Sequence, residues 1–314
     1  VQKYAKQILS SIKKTIKMSR KVKVSRVFRI DVPPEAQHKD FRDAERMNYA
    51  NTHFDEDGNI VEEIKYDDRG LDIGTQKYAY NDKGNLISEE TYSEAGDLEE
   101  KLSFEWDEQG RISKKQIHYL DDTVDTVSYE YEGKNLIKKT LMDEDGEIES
   151  EEKFTYDGDL LIEEEKHEEG ELVLKNQFQY DENGRVTEAR VWNLDEETKL
   201  INEYDEKGNR SCYLKYDEDE KLVEKHLMTY DDRGNVIEMI EEDPYKKTTI
   251  HISYDASNNA IAQRESNRAG LLNHELWRDY DEDGNLKEVR AVLMNPEQKP
   301  ERKYMLIYEN EYWD

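Results

Sequence analysis

The chain has 314 residues, 35% of them apolar and 39% charged, with 76 Asp+Glu against 46 Lys+Arg for a net charge of −30. That acidic balance repels nucleic acid and anionic membranes, and no apolar run approaches the roughly 18 residues that a membrane-spanning helix needs. With 21 Tyr and 4 Trp, the chain also lacks the aromatic-poor composition of a disordered polypeptide. Its charge is unevenly divided. Residues 1–30 hold ten basic side chains and no acidic one, which leaves −40 on the remainder.

In chain order, residues 2–18 predict an amphipathic helix. Tyr4, Ala5, Ile8, Leu9, Ile12 and Ile16 recur at three-to-four-residue steps, with Lys3, Lys6, Lys13, Lys14 and Lys17 opposite them. The period then changes to two, predicting a strand near 21–32 that stops at Pro33-Pro34. Residues 35–47 are charged and read as a linker with a short helix. These features make 1–47 a basic head of helix, strand and linker, ahead of an acidic domain spanning 48–314.

From Asn48 the chain repeats. An aromatic anchor followed by a polar turn occurs at Phe54, Tyr80, Trp106, Tyr131, Tyr156, Tyr180, Tyr204, Tyr230, Tyr254 and Tyr280, at spacings of 24 to 26 residues. Each unit has two turns. The turn after the anchor (the A turn) opens with Asp or Asn and closes at Gly58, Gly84, Gly110, Gly184, Gly208, Gly234 or Gly284. Asp caps the backbone two residues on, and Gly supplies φ > 0 in a type I turn with a bulge. The second turn (the B turn) comes about 12 residues later and reads as looser, as at Asp67 to Gly70, Glu168 to Gly170 and Asp217 to Lys221.

Between turns the pattern alternates: Leu102, Phe104 and Trp106 share one face, and Lys101, Ser103 and Glu105 the other. The fold class is therefore all-β, an up-and-down meander of about 20 short strands. A sheet that wide must curl into a spiral, a wide barrel or facing layers, with the anchors on its inner face.

The units resemble the YD repeats of the RHS/YD-repeat proteins. The resemblance is carried by Tyr180-Asp181 to Gly184-Arg185, Tyr204-Asp205 to Gly208-Asn209, Tyr230-Asp231 to Gly234-Asn235 and Tyr280-Asp281 to Gly284-Asn285, with degenerate copies at the other anchors. It covers about residues 48–290. It implies β-hairpins wound into a hollow strip, in a family whose large members enclose toxins or act in adhesion. This chain departs from those members: it is too short for a closed cocoon, and Pro296 and Pro300 stand in Asn-Pro and Lys-Pro rather than Asp-Pro contexts.

The residues point to little chemistry. The acidic A turns resemble a calcium loop only superficially, since Gly comes at position four instead of six. The seven His are scattered, Cys212 reads as a strand residue, and no phosphate loop or nucleophile elbow is present. No catalytic, metal or cofactor residue is assigned. The expected function is a non-enzymatic binding or scaffold component of a larger bacterial assembly in the envelope, secretion or surface machinery. It would dock on a protein partner through Lys6, Ile8, Leu9, Ile12, Lys13, Lys14, Ile16 and Lys17. The alternatives are an immunity-like protein that binds a basic partner and a carbohydrate-active hydrolase within the coiled sheet. For the head, contact with an anionic membrane surface is the alternative to a protein partner. A basic start with no apolar stretch behind it predicts no signal peptide. The single cysteine favours a reducing, cytoplasmic setting over the envelope or export.

Overall fold

A computed structural model describes residues 21–194 and 196–313. The helix predicted over 2–18, and with it every proposed docking residue from Lys6 to Lys17, lies outside the described residues. The described chain is one antiparallel sheet of 22 strands, from Val22–Val32 to Pro300–Tyr312. Each strand pairs with its neighbours in sequence. The first strand pairs with Met47–Phe54 on one side and with Pro300–Tyr312 on the other, which closes the sheet into a barrel. Of the three curled forms expected, the structure adopts the barrel.

The strand predicted near 21–32 is thus a stave of the same sheet as the repeats, paired Phe28 to Ile307 and Ile30 to Met305. Closure satisfies backbone donors and acceptors that would otherwise lie open along two edges. The connection after this strand crosses the seam as a latch. Its one turn of 3-10 helix is His38–Phe41. The His38 ring nitrogen lies 3.1 Å from the Ala291 carbonyl, Arg42 pairs with Glu288 at 3.1 Å and Arg46 with Glu309 at 2.6 Å. Beneath the latch, Ile30, Val32 and Met305 are buried against Ala36, Phe41, Ala44 and Ile307. A second small core joins Ile250, Ile252 and Ala260 with Met239 and Tyr254. Only thirteen apolar side chains are buried among the described residues, so the wall is one sheet thick and has no shared interior core.

All A turns lie at one rim and all B turns at the other, because strands alternate in direction. Asp231 shows the A-turn chemistry. Its carbonyl accepts from Gly234 N at 3.1 Å and its N–H donates to the Asn235 carbonyl at 2.9 Å. Its Oδ1 accepts from the Arg233 and Asn235 amides, and Oδ2 from the Asn235 side chain. The B turns are not looser, contrary to the sequence reading. Asp67 makes the same bonds to Gly70 N, Leu71 O, Arg69 N and Leu71 N. At Asp217 the Gly position is filled by Glu220, with φ 57°. Glu168 to Glu171 is a two-residue hairpin with Glu169 and Gly170 both at positive φ. Gly170 and Gly234 sit at φ 85° and 83°.

The two turn classes should therefore respond alike. Gly234→Val and Gly170→Val should each destabilise by about 1–3 kcal/mol. Glu220→Gly should stabilise by up to about 1 kcal/mol, since it removes a left-handed L-residue at a smaller entropic cost. Chemical denaturation of the three variants measures both effects; a much smaller cost at Gly170 would restore the looser B turn.

Candidate functional site

The anchors hold successive repeats together. Tyr80 donates to the Ile60 carbonyl at 2.9 Å, Tyr131 to Ile112 at 2.9 Å, Tyr180 to Leu161 at 2.5 Å, Tyr204 to Val186 at 2.8 Å, Tyr230 to Arg210 at 2.8 Å, Tyr254 to Val236 at 3.0 Å and Tyr280 to Ala260 at 3.0 Å. The indole of Trp106 makes the same bond, to Leu86 at 2.8 Å. In each case the acceptor belongs to the start of the strand that follows the preceding A turn. The anchor ring consequently lies over the first residues of the previous repeat, and the face that carries the anchors is the more enclosed one. Phe54 has no donor to offer.

The A rim is further laced from turn to turn. Asp107 holds Arg111 at 2.7 Å, and that guanidinium lies 4.2 Å from the Tyr131 ring centre. Asp181, Arg185 and Tyr204 repeat the arrangement at 2.6 and 4.6 Å. Lys207 reaches Asp232 at 3.2 Å, and Arg233 donates to the Asp255 carbonyl at 3.1 Å. At the seam, Tyr312 donates to Asp281 at 2.6 Å and accepts from Asn285 at 3.1 Å.

The B rim has no anchors, and its surface differs accordingly. Among the described residues, fourteen large apolar side chains are exposed, and thirteen of them lie in B turns or within three residues of a B turn or of the latch. Leu71, Ile73, Leu98, Ile148, Leu172, Leu222 and Leu271 follow B turns, while Tyr119, Leu120, Leu194 and Tyr245 form their tips. Tyr49 and Leu293 stand just inside the rim; Ile87 alone is at the A rim. Leu120, Leu194 and Tyr245 are 74%, 75% and 94% exposed. An open recess beside this collar is lined by Glu99, Ile117, His118, Tyr119 and Leu120. There Tyr119 donates to Asp125 at 2.7 Å, and that bond, together with burial, pushes its phenol up to about 12.

Sequence reasoning missed this collar. The sequence sets an apolar residue after turns of both kinds, such as Leu86 and Ile112 after A turns and Leu98 and Ile148 after B turns. Only the former are covered by an anchor from the next repeat.

Both faces of the wall are charged at mid-strand. On the anchor face Lys139 meets Glu152 at 2.7 Å. On the opposite face Lys175 lies 2.9 Å from Glu163 and 2.8 Å from Glu165, and Lys101 is 3.0 Å from Glu90. No helix among the described residues is long and apolar enough to cross a membrane.

Among the described residues no group of three His, Cys, Asp or Glu is arranged to hold a metal ion. Cys212 is buried, which pushes its thiol pKa up. Burial likewise lowers the His38 pKa. Among the described residues, each carboxylate with a displaced pKa is displaced downward. Backbone and side-chain bonds from Arg111 hold Asp107 low, and the Arg185 side chain does the same for Asp181. For Asp231, burial pushes upward, but the bonds from Asn235 and Arg233 outweigh it.

No family model matches this chain. No curated protein matches it either. Solved structures similar to it include TcdB2-TccC3, at 10% identity and a TM-score of 0.31, covering 89% of this chain and 20% of that one. TcdB2-TccC3-TEV is similar at 13% identity and a TM-score of 0.34, covering 83% and 19%. A porin-like protein from Bacteroides uniformis is similar at 9% identity and a TM-score of 0.32, covering 92% and 98%. The chain thus spans about a fifth of the first two. At these TM-scores the likenesses carry no assignment of function.

Two predictions follow from the anchor and turn chemistry. Tyr254→Phe removes the bond to the Val236 carbonyl and should cost about 0.5–1.5 kcal/mol by denaturant titration, while Phe54→Tyr should cost less. The depressed A-turn aspartates stabilise the fold fully above the ordinary aspartate pKa of about 3.9. That contribution is lost as pH falls through their lower folded values. Thermal melts should therefore be level from neutrality to about pH 5 and drop below about pH 4. Asp231→Asn should flatten the drop.

Proposed function

We infer that this chain is a YD-repeat-type, non-enzymatic scaffold that works within a larger bacterial assembly by binding protein partners. The observation that supports the reading best is the contrast between the two rims. One is sealed by anchors, clamped turns and the meeting of the first and last strands, where Trp313 N donates to the Lys21 carbonyl at 3.0 Å. The other exposes a ring of apolar side chains beside acidic turns, the composition of a surface that meets another macromolecule. In this proposal the basic segment before Lys21 docks the protein, and the acidic barrel presents the binding surface.

The test is affinity purification of the full chain at low salt from its native host. The Ile8→Ser, Leu9→Ser, Ile12→Ser variant should lose its specific partner. Lys13→Gln, Lys14→Gln, Lys17→Gln should retain less of it mainly at low salt, where charge is least screened, and the deficit should shrink as salt rises. A partner held equally by all three proteins would refute docking through this segment.

A further inference from the structure

We propose that the B-rim collar receives the basic N-terminal segment of a second copy of this chain, so that barrels join head to tail. The inference rests on the scaffold reading and names one partner for it.

Three observations converge. The collar is apolar and acidic together. Leu120 and Leu194 stand beside turns that hold Asp143, Glu144, Asp145 and Glu147 on one repeat and Asp217 to Glu220 on another. Its complement is a segment with an apolar stripe and basic flanks, and residues 1–20 contain six basic residues and no acidic one. The collar and the root of that segment are also at opposite ends of the barrel. Lys21 is at the A rim, where its Nζ lies 3.9 Å from Asp57 of the first A turn. The root of the segment and the collar therefore face away from each other on one barrel and towards each other across a head-to-tail joint of two.

Electrostatics agrees with this direction of joining. Two B rims face to face bring acidic turns together, and an A rim on a B rim does the same unless a basic layer lies between them. The N-terminal segment supplies that layer. Such a contact joins two different surfaces, so it propagates instead of closing as a twofold dimer.

The experiment follows the mass of the full chain by light scattering across a broad concentration range, at low and high salt. Average mass should rise with concentration, and the midpoint should move to higher concentration in salt. Leu120→Glu with Leu194→Glu, and separately Ile8→Ser with Leu9→Ser and Ile12→Ser, should each shift the midpoint by about tenfold or more. Leu120 and Leu194 are so exposed that their replacement leaves the wall intact, which far-ultraviolet circular dichroism checks. Zero-length crosslinking of a mixture of isotopically labelled and unlabelled chains should join Lys13, Lys14 or Lys17 of one chain to B-rim acids of another.

A chain that stays monomeric, with those crosslinks only within one chain, overturns the proposal. So does self-association untouched by either set of substitutions, or by the N-terminal set alone. A monomer that still needs Ile8, Leu9 and Ile12 to hold a different protein would overturn this inference and leave the scaffold reading standing.

Discussion

The backbone hydrogen-bond ladder, closed on itself, is the interaction on which this structure depends. A wall one sheet thick has no common core among the described residues, where two small apolar clusters are buried. Most of its cohesion must come from strand pairing and from cross-strand side-chain contacts. In an open sheet of this width, two edges would expose unpaired donors and acceptors to other chains. The strand Val22–Val32 removes both edges at once by pairing with Met47–Phe54 and Pro300–Tyr312. The latch that follows it packs on the seam, and the better of the two apolar clusters lies there.

The anchors explain how the repeats keep their register. At eight anchors a hydroxyl or indole N–H bonded to a carbonyl at the start of the preceding strand fixes one repeat against the one before it at a single point. Because each repeat has one anchor for two turns, the barrel is polar in the structural sense: one end is covered and the other is not. The exposed collar is the direct result. Turns of one and the same chemistry occur at both rims, since Asp67 and Asp231 make the same backbone bonds. What separates the rims is the aromatic ring from the neighbouring repeat.

Charge plays two parts. Within the wall, Lys138 with Glu151 and Lys175 with Glu163 and Glu165 form short ladders across strands. Each such exposed pair adds little to stability, about 0.2–1 kcal/mol. The acids in excess of these pairs collect in the turns and give the barrel its field. That field disfavours nucleic acid and anionic surfaces and favours basic partners. The clamped turn aspartates owe their low pKa values to local donors, so their ionisation serves turn geometry.

The sequence by itself determined what is local. An Asp and a Gly three residues apart specify a turn through bonds within five residues, and an aromatic every 24 to 26 residues specifies the repeat. The all-β class, the strand near 21–32, the turn glycines at positive φ and the strand position of Cys212 were all legible for this reason. The equivalence of A and B turns was obscured, because Glu220, Gln298 and Asp122 take up left-handed φ where the eye expects glycine. The tertiary structure decided everything that depends on distant pairing. Whether a meander becomes a spiral, layers or a barrel depends on small twists summed over 22 strands and on whether the ends meet. The pairing of Ile30 with Met305 leaves no periodic mark in the sequence. The collar too could be seen only in space, because Leu98 and Leu86 follow similar turns, and only a neighbouring Trp106 ring, bonded to the Leu86 carbonyl, distinguishes a covered side chain from an exposed one.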